Sequence, residues 1–203
     1  MSGLVSLSGD INSNPICMGR QKIAGSICAA CFAANMFDDA RGRYRGVNDA
    51  FKRNSEILCS RLLTDDEIPR FDPARFPLLR FAAYDDLANV TQALNYIKIA
   101  RKNPAIKCAV WTKNPGILAR AFRISPKPDN LQVVLSSMGL NKPAAGVRFD
   151  FVDKVFTVYD PATIEAERID INCGARSCFK CRLCYEKNPA GVGLIEVREK
   201  LKK

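Results

Sequence analysis

Apolar runs that recur at a steady interval constrain this chain more than any other feature of it. They lie at Leu78–Tyr84, Ile106–Trp111, Leu131–Ser136 and Val155–Tyr159, so their starts fall roughly 25 residues apart. That interval holds a short strand, a crossover helix and two loops, the length of a βα unit with the usual right-handed crossover. Between the runs the pattern becomes helical. Val90, Ala93, Leu94, Ile97 and Ala100 share one helical face, closed by Asn103 and Pro104. Asn114 is expected to cap, and Pro115 to open, a short helix carrying Ile117, Leu118, Ala121 and Phe122. Upstream, Leu4–Leu7 reads as a further strand, and Val47, Ala50, Phe51, Ile57, Leu58 and Leu62 predict a helix from about Asn48 to Leu63. Downstream, Leu194, Val197 and Leu201 predict a closing helix with a basic end. About five strands are too few for a closed eight-stranded barrel of ~250 residues. The predicted architecture is one α/β domain over residues 1–203, a partial (β/α) barrel or an open, mostly parallel sheet, with cysteine-rich cluster-binding loops near both termini.

In such folds ligands bind beyond the carboxyl ends of the strands. The residues there are Asp85 and Asp86, Thr112 and Lys113, Ser136 and Ser137, and Asp160. Taken singly, the acids read more plainly as loop and capping residues. Together they mark where a site is expected. The sequence has no histidine, which excludes Ser-His-Asp and Cys-His hydrolysis and histidine-ligated zinc catalysis. Chemistry must fall to Cys, Asp, Glu, Lys, Arg, Tyr or a cofactor. The apolar fraction of 47% and charged fraction of 26% are ordinary for a folded domain. No apolar run reaches the ~20 residues of a membrane span, and residues 1–10 lack a signal-peptide pattern. The expected location is the cytoplasm, with no membrane partner.

In that reducing compartment nine cysteines, an odd number, fit metal ligands or reactive groups better than disulfides. Cys59 and Cys108 sit among apolar neighbours and read as small core hydrophobes. The other seven form two groups, Cys17 with Cys28 and Cys31, and Cys173 with Cys178, Cys181 and Cys184. A C-x₂-C step brings two thiolates to one centre, and the second group has two such steps in series after a C-x₄-C step. Four ligands within a loop at 173–185 suit an iron–sulfur cluster. Zinc is the alternative, including a composite site in which Cys28 and Cys31 face Cys178 and Cys181, because zinc ribbons usually draw their pairs from separate turns. Arg176, Lys180 and Arg182 lie between the thiols, where they offset thiolate charge or simply face water. Three ligands on a [4Fe–4S] cluster leave one iron open, whereas four close it and leave electron transfer or structural support.

The net charge of +10 suits an anionic partner. Its densest segment, Arg41-Gly42-Arg43-Tyr44-Arg45, has a composition for phosphate contact and base stacking, or for a plain basic turn before a helix.

These features resemble the phage-encoded gene product 88 family, which looks like a minimal relative of radical S-adenosylmethionine proteins. The resemblance is carried by Cys28-x-x-Cys31 with Phe32 and Ala33, the Arg41–Arg45 segment, the strand–helix–strand from Leu79 to Lys113 with its Ala100–Pro104 turn, and the cysteine-rich tail. It implies that Cys17, Cys28 and Cys31 hold a [4Fe–4S] cluster with an open iron. It further implies that Phe32 flanks a bound nucleoside and that the C-terminal four cysteines hold an auxiliary cluster; Asp85 and Asp86 are expected at the cofactor site from their place just after a strand. S-adenosylmethionine is then an expected cofactor, an electron donor an expected partner, and host cytoplasm the expected location. The expected function is redox or radical chemistry on an anionic or nucleic-acid partner. The alternative is a non-enzymatic nucleic-acid-binding protein in which zinc or a cluster staples the fold and Arg41, Arg43 and Arg45 contact phosphates.

Overall fold

A computed structural model describes residues 3–37, 45–144, 147–173 and 177–201. Its frame is a six-stranded, all-parallel open sheet whose spatial order follows the chain: β1 (Leu4–Leu7), β2 (Leu78–Phe81), β3 (Lys107–Thr112), β4 (Leu131–Ser136), β5 (Lys154–Tyr159) and β6 (Ile195–Lys200). The helices are α1 (Pro15–Gln21), α2 (Phe32–Phe37), α3 (Arg45–Ser60), α4 (Val90–Lys102), α5 (Pro115–Ile124), α6 (Pro161–Glu167) and α7 (Cys178–Cys181), with a 3₁₀ turn at Ile27–Ala30. Because each strand joins the one before it, right-handed crossovers carry α3, α4 and α5 to the same face.

Side chains alternate across the sheet and so divide the core in two. Leu79, Phe81, Cys108, Val110, Leu131, Val133 and Leu135 face one way and pack with Leu58 of α3, Ala93, Tyr96 and Ile97 of α4, and Ile117, Leu118 and Ala121 of α5. Leu78, Ala109, Trp111, Val134 and Val197 face the other way. We call this second side the inner face. No helical layer of comparable length covers it; instead Cys184 and Tyr185 pack there, with Cys173, Cys178 and Leu183 beside them.

The segment 173–186, the tail, is pinned across this face. The Cys173 amide donates to the Arg198 carbonyl of β6 at 2.9 Å. Lys107 of β3 pairs with Glu186 at 2.5 Å, and the Lys154 ammonium of β5 donates to the Glu186 carbonyl at 2.6 Å. At the far side the Phe179 ring lies against Gly3, where an added Cβ would come within 2.7 Å of the ring and where φ is +104°. A side chain at position 3 would therefore meet both a clash and an unfavourable backbone conformation.

Two sequence expectations change. The helix predicted over Leu194, Val197 and Leu201 is strand β6 instead. The residues Ile195 to Lys200 fit an alternating pattern as well as a helical one, and β5 offers an unpaired backbone edge that a parallel strand satisfies. Asn114 does stand at the N-cap of α5, but its side chain makes no capping bond. It is engaged elsewhere, as described below. The helix predicted from Asn48 to Leu63 runs from Arg45 to Ser60, and the strands at 4, 78, 106, 131 and 155 lie within one residue of their expected starts. Cys108 is fully buried in the helix-side core as expected, while Cys59 is half-buried.

Candidate functional site at the carboxyl ends of the strands

The loop leaving β1 carries the first thiol group. Asn14 caps α1 by accepting from the amides of Ile16 and Cys17, and its Nδ2 donates to the Asp86 carbonyl at 2.7 Å. Cys17 is thus fastened, through its own helix cap, to the loop beyond β2. Cys28 lies in the 3₁₀ turn, whose Ser26 cap holds the Ala29 amide, and Cys31 follows directly. The Ile27 amide donates to the Met138 carbonyl at 2.9 Å, so the same turn is tied to the segment beyond β4.

These three thiols lie within electrostatic reach of one another. Burial pushes Cys17 up to about 12, and the negative charges of Asp86, Asp85 and Cys31 add to that. Cys28 is also raised by burial, and Lys113 and Arg20 pull it back. Cys17 and Cys31 pack with Ile11, Ala33 and Phe51 in a small apolar group that also contains Tyr84. Phe32 is 61% exposed, and its ring centroid lies 5.9 Å from that of Tyr84.

The paired acids have separate jobs. Asp86 is buried and fully occupied: it accepts from Arg20 at 2.7 Å, Thr112 Oγ1 at 2.6 Å, and the amides of Lys113 at 2.9 Å and Leu87 at 2.7 Å. Arg20 also donates to the Lys113 carbonyl and to Asn114 Oδ1. The Asn114 side chain forgoes its cap to complete this clasp, which locks the thiol loop onto β2 and β3. Asp85 is different. Its Oδ2 accepts from the Gly9 amide at 3.0 Å and Gln92 Nε2 at 3.2 Å, while its Oδ1 is buried without a partner among the described residues. Burial raises Asp85 to about 7 despite those two bonds. The backbone leading to it is strained as well, with Ala82 at φ +50° directly after β2.

Of the other post-strand residues, Asp160 is a capping residue, accepting from the Thr163 amide at 2.8 Å and from Asn141. Ser137 Oγ donates to the Lys142 carbonyl within its own loop. Arg41 and Arg43 lie outside the described residues, as does the side chain of Arg45, whose backbone opens α3.

The tail thiols form the second neighbourhood, on the inner face rather than at the strand ends. Burial raises Cys184 to about 12, and the charges of Cys173, Cys178 and Cys181 all act on it. The two thiol groups pack in different apolar clusters, one with Phe51 and Tyr84, the other with Trp111 and Tyr185. Among the described residues, no group of three or more Cys, Asp or Glu side chains is already arranged to hold a metal ion. The thiols are neighbours, not a formed ligand set. Their donor chemistry fits a thiolate-bound centre, since each group gathers several sulfurs, with the Asp85 and Asp86 carboxylates also standing beside Cys17 in the first.

Two residues that organise these sites escape a reading of sequence alone. Arg20 follows Cys17 by three positions, and nothing in its surroundings distinguishes it from a surface arginine. Arg80 gives a clearer signal, because it is a charged residue inside the apolar run Leu78–Phe81. Its guanidinium carbon lies 4.2 Å from the Trp111 ring centroid on the inner face.

The family model described as gene product 88 matches residues 4–196. That is nearly all of a 203-residue chain, and the chain belongs to this family. No curated protein and no solved structure matches it.

Proposed function

We propose that this member of the gene product 88 family is an iron–sulfur protein with its reaction centre at the carboxyl ends of β1–β3. The observation that carries this reading is that Cys31 lies near both Cys17 and Cys28, with Asp86 near both of those thiols as well, on the loop after β1. That edge is where α/β folds hold ligands. Cys17, Cys28 and Cys31 would hold a [4Fe–4S] cluster, which with three thiolates keeps one iron for a substrate or cofactor and supplies redox or radical chemistry. S-adenosylmethionine is the cofactor that the resemblance to radical proteins suggests.

The chain's own residues have distinct tasks in this reading. The Arg20–Asp86–Asn114 clasp fixes the thiol loop against the sheet. Phe32 and Tyr84 offer aromatic faces beside the thiols for a flat ligand. Asp85 offers a buried oxygen with no partner inside the protein among the described residues. The tail cysteines would ligate a second, closed centre that supports the inner face. A net charge of +10 favours an anionic substrate, a nucleic acid among them.

The test is iron, sulfide and zinc per chain after anaerobic purification. Iron with matching sulfide is expected, together with a change in the EPR spectrum of the reduced protein on adding S-adenosylmethionine. Colourless protein with stoichiometric zinc would overturn the reading. Iron with an unchanged spectrum would remove the S-adenosylmethionine part alone.

A further inference from the structure

The inner face holds a cation that no carboxylate neutralises among the described residues. Arg80, Lys107 and Lys154 all face this side, in register with Leu78, Ala109 and Val134. Lys107 is paired with Glu186, and Lys154 donates to the Glu186 carbonyl and to Gln132 Oε1. Arg80 has neither kind of partner. No ion pair joins it to a carboxylate among the described residues, and its Nε is buried without an acceptor. Its guanidinium lies over the Trp111 ring, which in turn meets Tyr185 edge-on at 5.8 Å. The Tyr185 hydroxyl is buried and unpartnered too. A half-buried arginine with an N–H that finds no acceptor is costly, so a strand that keeps one gains from a compensating charge nearby.

The nearest source of that charge is the tail. Arg80 acts electrostatically on both Cys184 and Tyr185, and Cys173, Cys178 and Cys181 act on Cys184 from its other neighbours. With thiols protonated the four cysteines are uncharged, and Glu186, the one carboxylate in the segment from Cys173 to Glu186, is already paired with Lys107, so the segment offers Arg80 no anion. Four thiolates around one divalent ion or one cluster carry a net negative charge, which is what an arginine set into the opposite wall would complement.

We infer that Arg80 is the counter-cation of a metal–thiolate centre formed by Cys173, Cys178, Cys181 and Cys184, so that metal loading and docking of the tail on the sheet are coupled through it. Arg80 is a positioning residue, touching no substrate. This inference rests on the proposal that the tail binds metal, but not on the chemistry at Cys17, Cys28 and Cys31. It also explains why the charged residue is an arginine: a planar guanidinium can stack on Trp111 and still present N–H groups to sulfur, which an ammonium does less well.

The experiment uses the full chain carrying Cys28→Ser and Cys31→Ser, so that the tail supplies the metal signal, and compares it with the same chain bearing Arg80→Met or Arg80→Lys. Metal per chain is followed under chelator challenge, the midpoint potential is measured if the metal is iron, and thermal unfolding is measured with and without metal. Arg80→Met is expected to weaken metal retention by about 10-fold or more, to move the midpoint to a more negative potential, and to leave the metal-free protein as stable as its parent or more so. Arg80→Lys is expected to recover part of the retention. If Arg80→Met lowers stability equally with and without metal, or leaves retention and potential unchanged, Arg80 is a packing residue and the inference fails while metal binding stands. A parent that holds no metal in the tail overturns both.

Discussion

At Asp85, burial and hydrogen bonding pull in opposite directions, and burial wins. An ordinary aspartate in an unfolded chain ionises near 3.8, whereas here the carboxyl is raised to about 7. Between those values the folded protein binds more protons than the unfolded one. The contribution of this group to stability is therefore full below about 4 and is lost as pH rises through 7, by a few kcal/mol at about 1.4 kcal/mol per pKa unit. In metal-free, reduced protein, Asp85→Asn should be more stable than the parent at pH 8 and gain nothing at pH 4, as read from urea midpoints. A constant difference across that range would show that the carboxyl ionises normally. The sequence makes both acids visible as post-strand residues but cannot divide their labour. Asp86 is consumed by Arg20, Thr112 and two amides that come from other segments, and Asp85 is left with a free oxygen only because Gly9 and Gln92 occupy the other. Such distinctions depend on partners as much as 76 positions away, as for Asp85 and Gly9, and no local pattern encodes them.

Among the elements, β6 is the one that local pattern misassigns. A helix over 194–201 would place Leu194 and Val197 on the same buried side, and both should then matter. In the sheet Val197 is wholly buried opposite Phe156, while Leu194 precedes the strand and is 47% exposed. Val197→Ala should cost about 2 kcal/mol and Leu194→Ala within about 0.5 kcal/mol, measured by chemical denaturation. Comparable costs would favour the helix. The inner strands were legible because β2, β3 and β4 are buried on both faces and read as nearly continuous apolar runs. An edge strand such as Ile195–Lys200 has one charged side, and its sequence is ambiguous between the two periods. The tail escapes local reading for another reason: its partners Lys107, Lys154 and Gly3 lie in other segments.

On the scale of the molecule, two thiol neighbourhoods occupy different places on one sheet, at the strand ends and on the inner face. They share no packing cluster, so their loading should be separable. Cys28→Ser should remove the metal of one group and leave that of the other, with iron or zinc per chain as the measure; loss of all metal would instead indicate one shared site. The fit between chain order and strand order has a consequence for how the protein comes into being. Each new strand needs only the one synthesised just before it, so the sheet can extend from one edge while the ribosome is still at work. The segment that covers the inner face emerges after β1 to β5. Until it does, Trp111, Val134 and the arginine beside them are open to water and to passing chains, and if the segment binds metal as proposed, a shortage of metal at that moment would be felt as aggregation of newly made protein.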